Sequence, residues 1–179
     1  MNALLTLARL IDALTERVGQ LSIWLVLIAT LISAGNALAR YVLGESSNAW
    51  LEIQWYLFGA MFLLAAGYTL KHNGHVRIDI LYNRFSARRQ AWIDLFGGLL
   101  FLSPMAVLLT WLGWPMFMDA WLTHEMSPDA GGLLRWPVKL LLPVGFGLLA
   151  LQGVAEAIKR MGVLSGHLIL PTEAPEEEV

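Results

Sequence analysis

Four apolar stretches, separated by short polar segments, run along the 179 residues of this chain. They cover residues 21–38, 53–70, 95–118 and 140–155. A helix needs about 20 apolar residues to cross a hydrocarbon core, where lipid offers no hydrogen-bond partner to the backbone. The pattern therefore predicts four transmembrane helices at approximately residues 20–43, 50–71, 91–116 and 136–159.

The N-terminal segment shows a different pattern, with apolar residues three and four positions apart. The apolar side carries Leu4, Leu7, Ile11, Leu14, Val18 and Leu21, and the other side carries Thr6, Arg9, Asp12, Glu16 and Gln20. This periodicity predicts an amphipathic helix that lies in the membrane interface and then turns into the first span. The alternative is a plain cytoplasmic extension of that span.

The C-terminal segment lacks such a pattern. Residues 168–179 hold two prolines and the acidic run that ends the chain, with too little apolar surface to offset the entropy of ordering. We predict one membrane domain over residues 1–162 and a disordered cytoplasmic tail over residues 163–179. The acidic tip is interpreted as solvated, with docking to a partner as the alternative.

Composition supports an all-α integral membrane four-helix bundle. Hydrophobic residues make up 57% of the chain and charged residues only 15%, against about 25% charged in soluble domains. The absence of cysteine excludes disulfides, thiol chemistry and iron–sulfur ligation.

The distribution of basic residues predicts the orientation. Nine of the twelve Lys and Arg lie before the first span, between the second and third spans, or after the fourth. An even number of spans places these segments on one face, and the positive-inside rule assigns that face, with both termini, to the cytoplasm. The opposite face would carry the longer segment that leads into the fourth span.

Tryptophans gather near the predicted outer ends of the spans, where an indole can bury its ring and still donate to water. We interpret them as interface anchors, with a protein contact as the alternative for some. The anchors are Trp50, Trp114, Trp121 and Trp136, with Trp111 nearby.

The spans carry no ionisable residue at mid-depth, where such a group would indicate an ion or substrate site. Glu52 lies in the first turns of the second span and can reach the interface. His72 and His75 are three residues apart, but without a supporting ligand set we predict neither a metal nor another cofactor. Glycines and prolines in the third and fourth spans are interpreted as sites of close helix packing or bending.

A resemblance to a known family appears at the second span and the segment after it. Residues 52–79 read EIQWYLFGAMFLLAAGYTLKHNGHVRID, with His75, Val76, Arg77 and Asp79 forming a His-Val-Arg-x-Asp string. The chain resembles the small, DctQ-like membrane subunit of TRAP (tripartite ATP-independent periplasmic) transporters. The likeness extends over approximately residues 15–162.

The resemblance implies a small permease subunit of a secondary transporter in the bacterial inner membrane, and not an enzyme. It would scaffold a large polytopic subunit that moves organic acids by symport, fed by a periplasmic receptor. The implied partners are that subunit, the receptor and the lipid bilayer, and no nucleic acid. Residues that would carry the motif or a partner contact are Glu52, Trp55, His75, Arg77 and Asp79.

These residues also have local interpretations. A carboxylate at the start of a helix is favoured by the helix dipole, so Glu52 either caps the second span or contacts the partner. Trp55 packs within the bundle or against the partner. Arg77 meets anionic headgroups and Asp79 caps a helix end, unless this string contacts the large subunit specifically.

One functional alternative stays open: a self-sufficient small carrier that acts as a homo-oligomer. It would need a titrating carboxylate inside the membrane, and Glu52 lies near the edge.

Overall fold

A computed structural model describes residues 1–44, 47–75 and 82–167. The described helices are α1 (Asn2–Leu43), α2 (Asn48–Lys71), α3 (Ala87–Gly97), α4 (Ser103–Leu122) and α5 (Trp136–Leu164), with a π-helical turn at Gly98–Leu102 between α3 and α4. Four helical rods, with α3 to α4 counted as one, are long and apolar enough to cross a membrane. In these residues no strand forms beyond an isolated bridge between Met126 and Leu134. The predicted fold class is confirmed.

α1 is one uninterrupted helix of 42 residues. The predicted turn between an interfacial segment and the first span is therefore wrong. At about 1.5 Å per residue α1 is roughly 63 Å long, about twice a hydrocarbon core. Its apolar side is exposed at Leu4, Leu7 and Leu14, while Ala8 and Ile11 pack against α5 at Ala155 and Ile158.

Close approach of the helices depends on glycines of α2 and α5. A Cβ at Gly145 would lie 2.7 Å from the Leu63 Cβ and 2.9 Å from the Leu63 carbonyl oxygen. A Cβ at Gly67 would lie 3.1 Å from Thr15 of α1 and 3.5 Å from the Leu148 carbonyl oxygen of α5. Small residues that let helix backbones meet are the usual contacts in membranes, and they place α2 between α1 and α5.

The π turn has a local cause. Pro104 has no N–H to bond the carbonyl four residues earlier, and its ring would crowd that turn in a regular α-helix. In the wider turn, the Ser103 hydroxyl donates to the Gly98 carbonyl at 2.8 Å. α5 comes close here because Gly153 has no side chain, and a Cβ there would lie 3.2 Å from the Ser103 hydroxyl.

The predictions of close glycine packing and of the tail boundary have different outcomes. Gly145 lies at a close helix contact, whereas Gly97 and Gly98 have no neighbour that a Cβ would meet. α5 continues to Leu164, so the tail boundary predicted at residue 163 falls in its last turn. The acidic run, like Arg77 and Asp79, lies outside the described residues.

Candidate functional site

Polar side chains concentrate at the two ends of the bundle. The connection end comprises the start of α2, the start of α5 and the α4–α5 connection, residues 123–135. The termini end comprises the first part of α1, the end of α2, the start of α3 and the end of α5. The two ends use their charges differently.

Glu52 is the centre of the connection end. It lies one turn into α2 and is only 3% exposed. One carboxylate oxygen accepts the Leu133 backbone N–H at 2.6 Å, and the other accepts the Ser127 hydroxyl. The Arg135 guanidinium lies 3.7 Å from that second oxygen. Glu52 thereby fixes the α4–α5 connection against α2.

Ser127 joins these groups because a hydroxyl has one donor and two acceptor sites. Its hydrogen goes to Glu52, and its oxygen accepts from Arg135 at 3.1 Å and from the Asp129 backbone N–H at 3.2 Å. All three sites are used. Gly132 lies over the same side chain, since a Cβ there would be 2.4 Å from the Ser127 Cβ.

Two aromatic residues of α2 complete the contact. The buried Tyr56 donates its hydroxyl to the Leu134 carbonyl at 2.9 Å. The Arg135 guanidinium carbon lies 5.3 Å from the centre of the Trp55 ring, within cation–π range. Trp55 remains 42% exposed.

Two further contacts hold the edges of the connection. Lys139 of α5 forms an ion pair with Glu125. The Asn48 side chain, at the start of α2, donates to the Ala130 carbonyl at 3.0 Å. The whole connection is thus attached to the helices on both sides.

The termini end is held by a chain of ion pairs. Lys159 of α5 contacts Asp12 of α1 at 3.1 Å and Glu156 at 2.5 Å. The Gln152 amide donates to Asp12 at 2.8 Å and to Glu156 at 3.1 Å. This cluster joins α1 to α5.

A second cluster joins α1 to α2. Glu16 accepts from Lys71 at 2.7 Å and contacts His72 at 2.8 Å. Lys71 also donates to the Asp12 backbone carbonyl at 3.3 Å. The side chains of Glu16 and Lys71 are 26% and 21% exposed, so water reaches this pair.

α3 is attached at the same end. Asp94 accepts the Tyr82 hydroxyl at 2.7 Å and lies 3.1 Å from the Arg160 guanidinium of α5. The Gln90 side chain donates to the Tyr82 carbonyl at 3.1 Å. Four helices thus meet at the termini end through several small contacts.

The residues singled out from the sequence divide between the two ends. Glu52 and Trp55 belong to the connection end, His75 is exposed beyond α2, and the remaining motif residues lie outside the described range. The capping interpretation of Glu52 is wrong, since α2 begins at Asn48 and has no acidic residue in its first turn. Its bond to the α4–α5 connection is a role that the sequence analysis did not consider.

The predicted anchors are partly exposed, as interface residues would be. Trp50 and Trp114 are about half exposed. Trp121 and Trp136 meet edge to face at 4.6 Å between ring centres, so they also join α4 to α5. Their placement in a membrane interface stays a prediction.

The histidine pair does not gather other ligands. His72 lies against Glu16, and across residues 1–44, 47–75 and 82–167 no three His, Asp or Glu side chains are grouped as a metal site would need.

Sequence reasoning missed Ser127, Arg135, Asp12, Lys159 and Gln152. Each pairs with a residue far along the chain, such as Ser127 with Glu52, 75 positions away. No local period reveals such pairs. The one signal in the sequence was the placement of the carboxylate of Glu52 and the guanidinium of Arg135 near the predicted starts of the second and fourth spans.

The family model for the DctQ component of tripartite ATP-independent periplasmic transporters matches residues 29–162. The chain belongs to this family. No curated protein and no solved structure matches it.

The matched range covers all of the connection end of this DctQ component but only part of the termini end. Glu52 and the whole α4–α5 connection lie inside it. Asp12 and Glu16, the α1 partners of the ion pairs at the termini end, lie before it. The family membership establishes a small multi-pass membrane component of a TRAP transporter.

Proposed function

We propose that this chain is the scaffold subunit that holds the large ion-coupled permease subunit in the membrane. In this role the chain moves no solute itself. The large subunit carries organic acids with a carboxylate, and a periplasmic receptor delivers them. Both termini lie in the cytoplasm, so the α4–α5 connection faces the receptor side.

One observation supports the scaffold role most directly. The buried carboxylate of Glu52 accepts a backbone N–H and a hydroxyl of its own chain. A carboxylate engaged in this way stabilises a fixed surface, whereas a carrier of a cation or proton needs a carboxylate that can exchange its ligand. The use of Glu52 therefore favours the scaffold over a self-sufficient carrier.

The test is purification of the tagged chain, coexpressed with the genes that adjoin its own, in a mild detergent. Gel filtration followed by mass spectrometry identifies the proteins that stay bound. We expect an equimolar complex with a polytopic membrane protein. A folded chain that elutes alone or only with itself would contradict the scaffold proposal.

A further inference from the structure

The second half of α1 lies at the edge of the bundle. Every buried residue of α1 falls between Ala8 and Ser22, and none follows Ser22. Beyond that point α1 and α2 border an open groove. The part beside residues 25–33 of α1 has a volume of 440 Å³, and the part beside residues 33–41 has a volume of 560 Å³. Ser33 and Gln54 line both parts. We call this surface the α1–α2 groove.

Three polar residues of α1 belong to one helix face along the groove. Ser33, Asn36 and Arg40 are three and four positions apart and all line it. Within the described part of the chain, none of the three has a side-chain hydrogen bond or ion pair. Asn36 lies seven residues before the end of α1, about 10 Å along the helix axis, and within the span predicted at residues 20–43.

Several hydroxyls of the helices are bonded within their own helix. The hydroxyls of Ser22, Thr30 and Thr110 each donate to the carbonyl four residues earlier, at 2.7 to 2.8 Å. An asparagine amide facing hydrocarbon without a partner is costly, and such amides are used to bond a neighbouring helix. Asn36, like Ser33, thus differs from Ser22, Thr30 and Thr110.

The outward face of α4 supplies the contrast. Between residues 105 and 112 its exposed side chains are Met105, Val107, Leu108, Trp111 and Leu112, all apolar. That face suits lipid tails. The α1–α2 groove combines polar groups with Ala29 and Ala37, whose small size allows another helix backbone to approach.

We propose that the α1–α2 groove receives one transmembrane helix of the large permease subunit, which bonds Asn36 through a polar side chain and places a carboxylate opposite Arg40. The inference rests on the proposed function, because it assigns the face through which the scaffold meets its partner. Among the residues that the structure describes, Arg40 has no ion pair, so its positive charge favours a carboxylate on the partner helix, and the amide of Asn36 favours a polar side chain there.

The test uses the absence of cysteine from the chain. A single cysteine is introduced as Ala37→Cys in the groove or as Val107→Cys on α4, and each is labelled with a maleimide that carries a photoreactive benzophenone. The labelled complex is irradiated in membranes containing the coexpressed large subunit. We expect Ala37→Cys to crosslink to the large subunit at least about tenfold more than Val107→Cys, because only the groove would be within contact range.

Each crosslinking result supports or overturns the groove assignment. A crosslink from Ala37→Cys to a second copy of this chain would overturn the proposal in favour of self-association, and crosslinking to lipid alone would show that the groove is uncovered. If the unlabelled chain does not copurify with any large subunit, the proposed function itself fails. If it copurifies but Ala37→Cys and Val107→Cys crosslink equally, the function stands and the groove assignment is wrong.

A second measurement tests whether the amide of Asn36 contributes to binding of the large subunit. Asn36→Leu removes the amide but keeps a similar volume and a helix-favouring side chain. We expect about tenfold less large subunit to be retained through gel filtration. One lost hydrogen bond of ordinary strength lowers the affinity by about that factor. Val107→Asn, which adds an amide to the α4 face, is the control and should retain as much as the natural chain. Equal retention by Asn36→Leu would overturn the role given to the amide.

Discussion

The two ends of the bundle are held by polar contacts of opposite design. At the connection end one buried carboxylate, that of Glu52, binds a backbone N–H, a hydroxyl and a nearby guanidinium. At the termini end several partly exposed ion pairs share the task, and Asp12, Glu16 and Lys159 each contact more than one residue. The contrast implies that a single substitution harms the first end much more than the second.

The physical reason is the cost of an orphaned group. Removing one partner of a buried charged contact leaves donors with nothing to bond, which costs far more than the intact contact contributes. Where water reaches a pair, it replaces the lost partner, so exposed ion pairs contribute little.

The largest effect is expected for Glu52→Gln. The amide keeps the shape of the side chain but loses the charge and one acceptor, so the N–H of Leu133 and the hydroxyl of Ser127 compete for one oxygen. We expect the Tm in detergent to fall by about 10 °C. Thermal unfolding followed by circular dichroism measures this.

The matched control is Glu125→Gln, which removes a carboxylate from the same connection but from an exposed edge pair with Lys139. Its Tm should change by no more than about 2 °C. Equal falls in Tm for the two variants would show that Glu52 matters no more than the exposed pair of Glu125 and Lys139.

The second prediction concerns the packed middle that links the two ends. Gly145→Ala would push a methyl group into the backbone and side chain of Leu63, costing about 1–3 kcal/mol. Gly147→Ala, two residues away, meets only Thr110 at 3.9 Å and should change stability little. Unfolding in a denaturing detergent compares the two, and similar losses would show that the α2–α5 contact is not tight.

The third prediction tests whether the termini end is redundant. Lys159→Met leaves the carboxylates of Asp12 and Glu156 without the cation between them, but Gln152 still bonds both. We expect the Tm to fall by about 2–4 °C, less than for Glu52→Gln. Lys159→Arg should recover most of that loss. A fall as large as that of Glu52→Gln would contradict the redundancy.

The smallest effect is expected for Glu16→Gln. Lys71 and His72 lose a partner that water can replace, so the Tm should fall by about 1–2 °C at low salt. Salt screens exposed pairs, and the difference from the natural chain should vanish near 1 M salt. A Tm titration with sodium chloride measures both, and a difference that persists at high salt would place Glu16 among the buried contacts.

The sequence predicted the helical rods well and the contacts between them poorly. Hydropathy is a local property, so four long apolar helices follow from it directly. Glu52 and Ser127, like Asp12 and Lys159, lie 75 and 147 positions apart, and no periodicity records which distant charge a residue meets. Only the folded arrangement brings these partners together.

The errors at α1 have the same origin. An interfacial helix over the first half of α1 would turn its polar side toward water and headgroups, as polar residues usually face solvent. In the fold Asp12 and Glu16 face α5 and α2, and the leucines on the apolar side are exposed, where lipid can cover them. In a membrane the polar side of a helix can be the side that faces its neighbours.

The most direct test of the contrast between the ends is hydrogen–deuterium exchange of the purified protein, read by mass spectrometry. Three proteins are compared: the natural chain, Glu52→Gln and Glu16→Gln. We predict that residues 126–135 exchange at least about tenfold faster in Glu52→Gln alone, while residues 8–19 exchange at similar rates in all three. If residues 126–135 stay equally protected in Glu52→Gln, Glu52 does not hold the α4–α5 connection and the account is wrong.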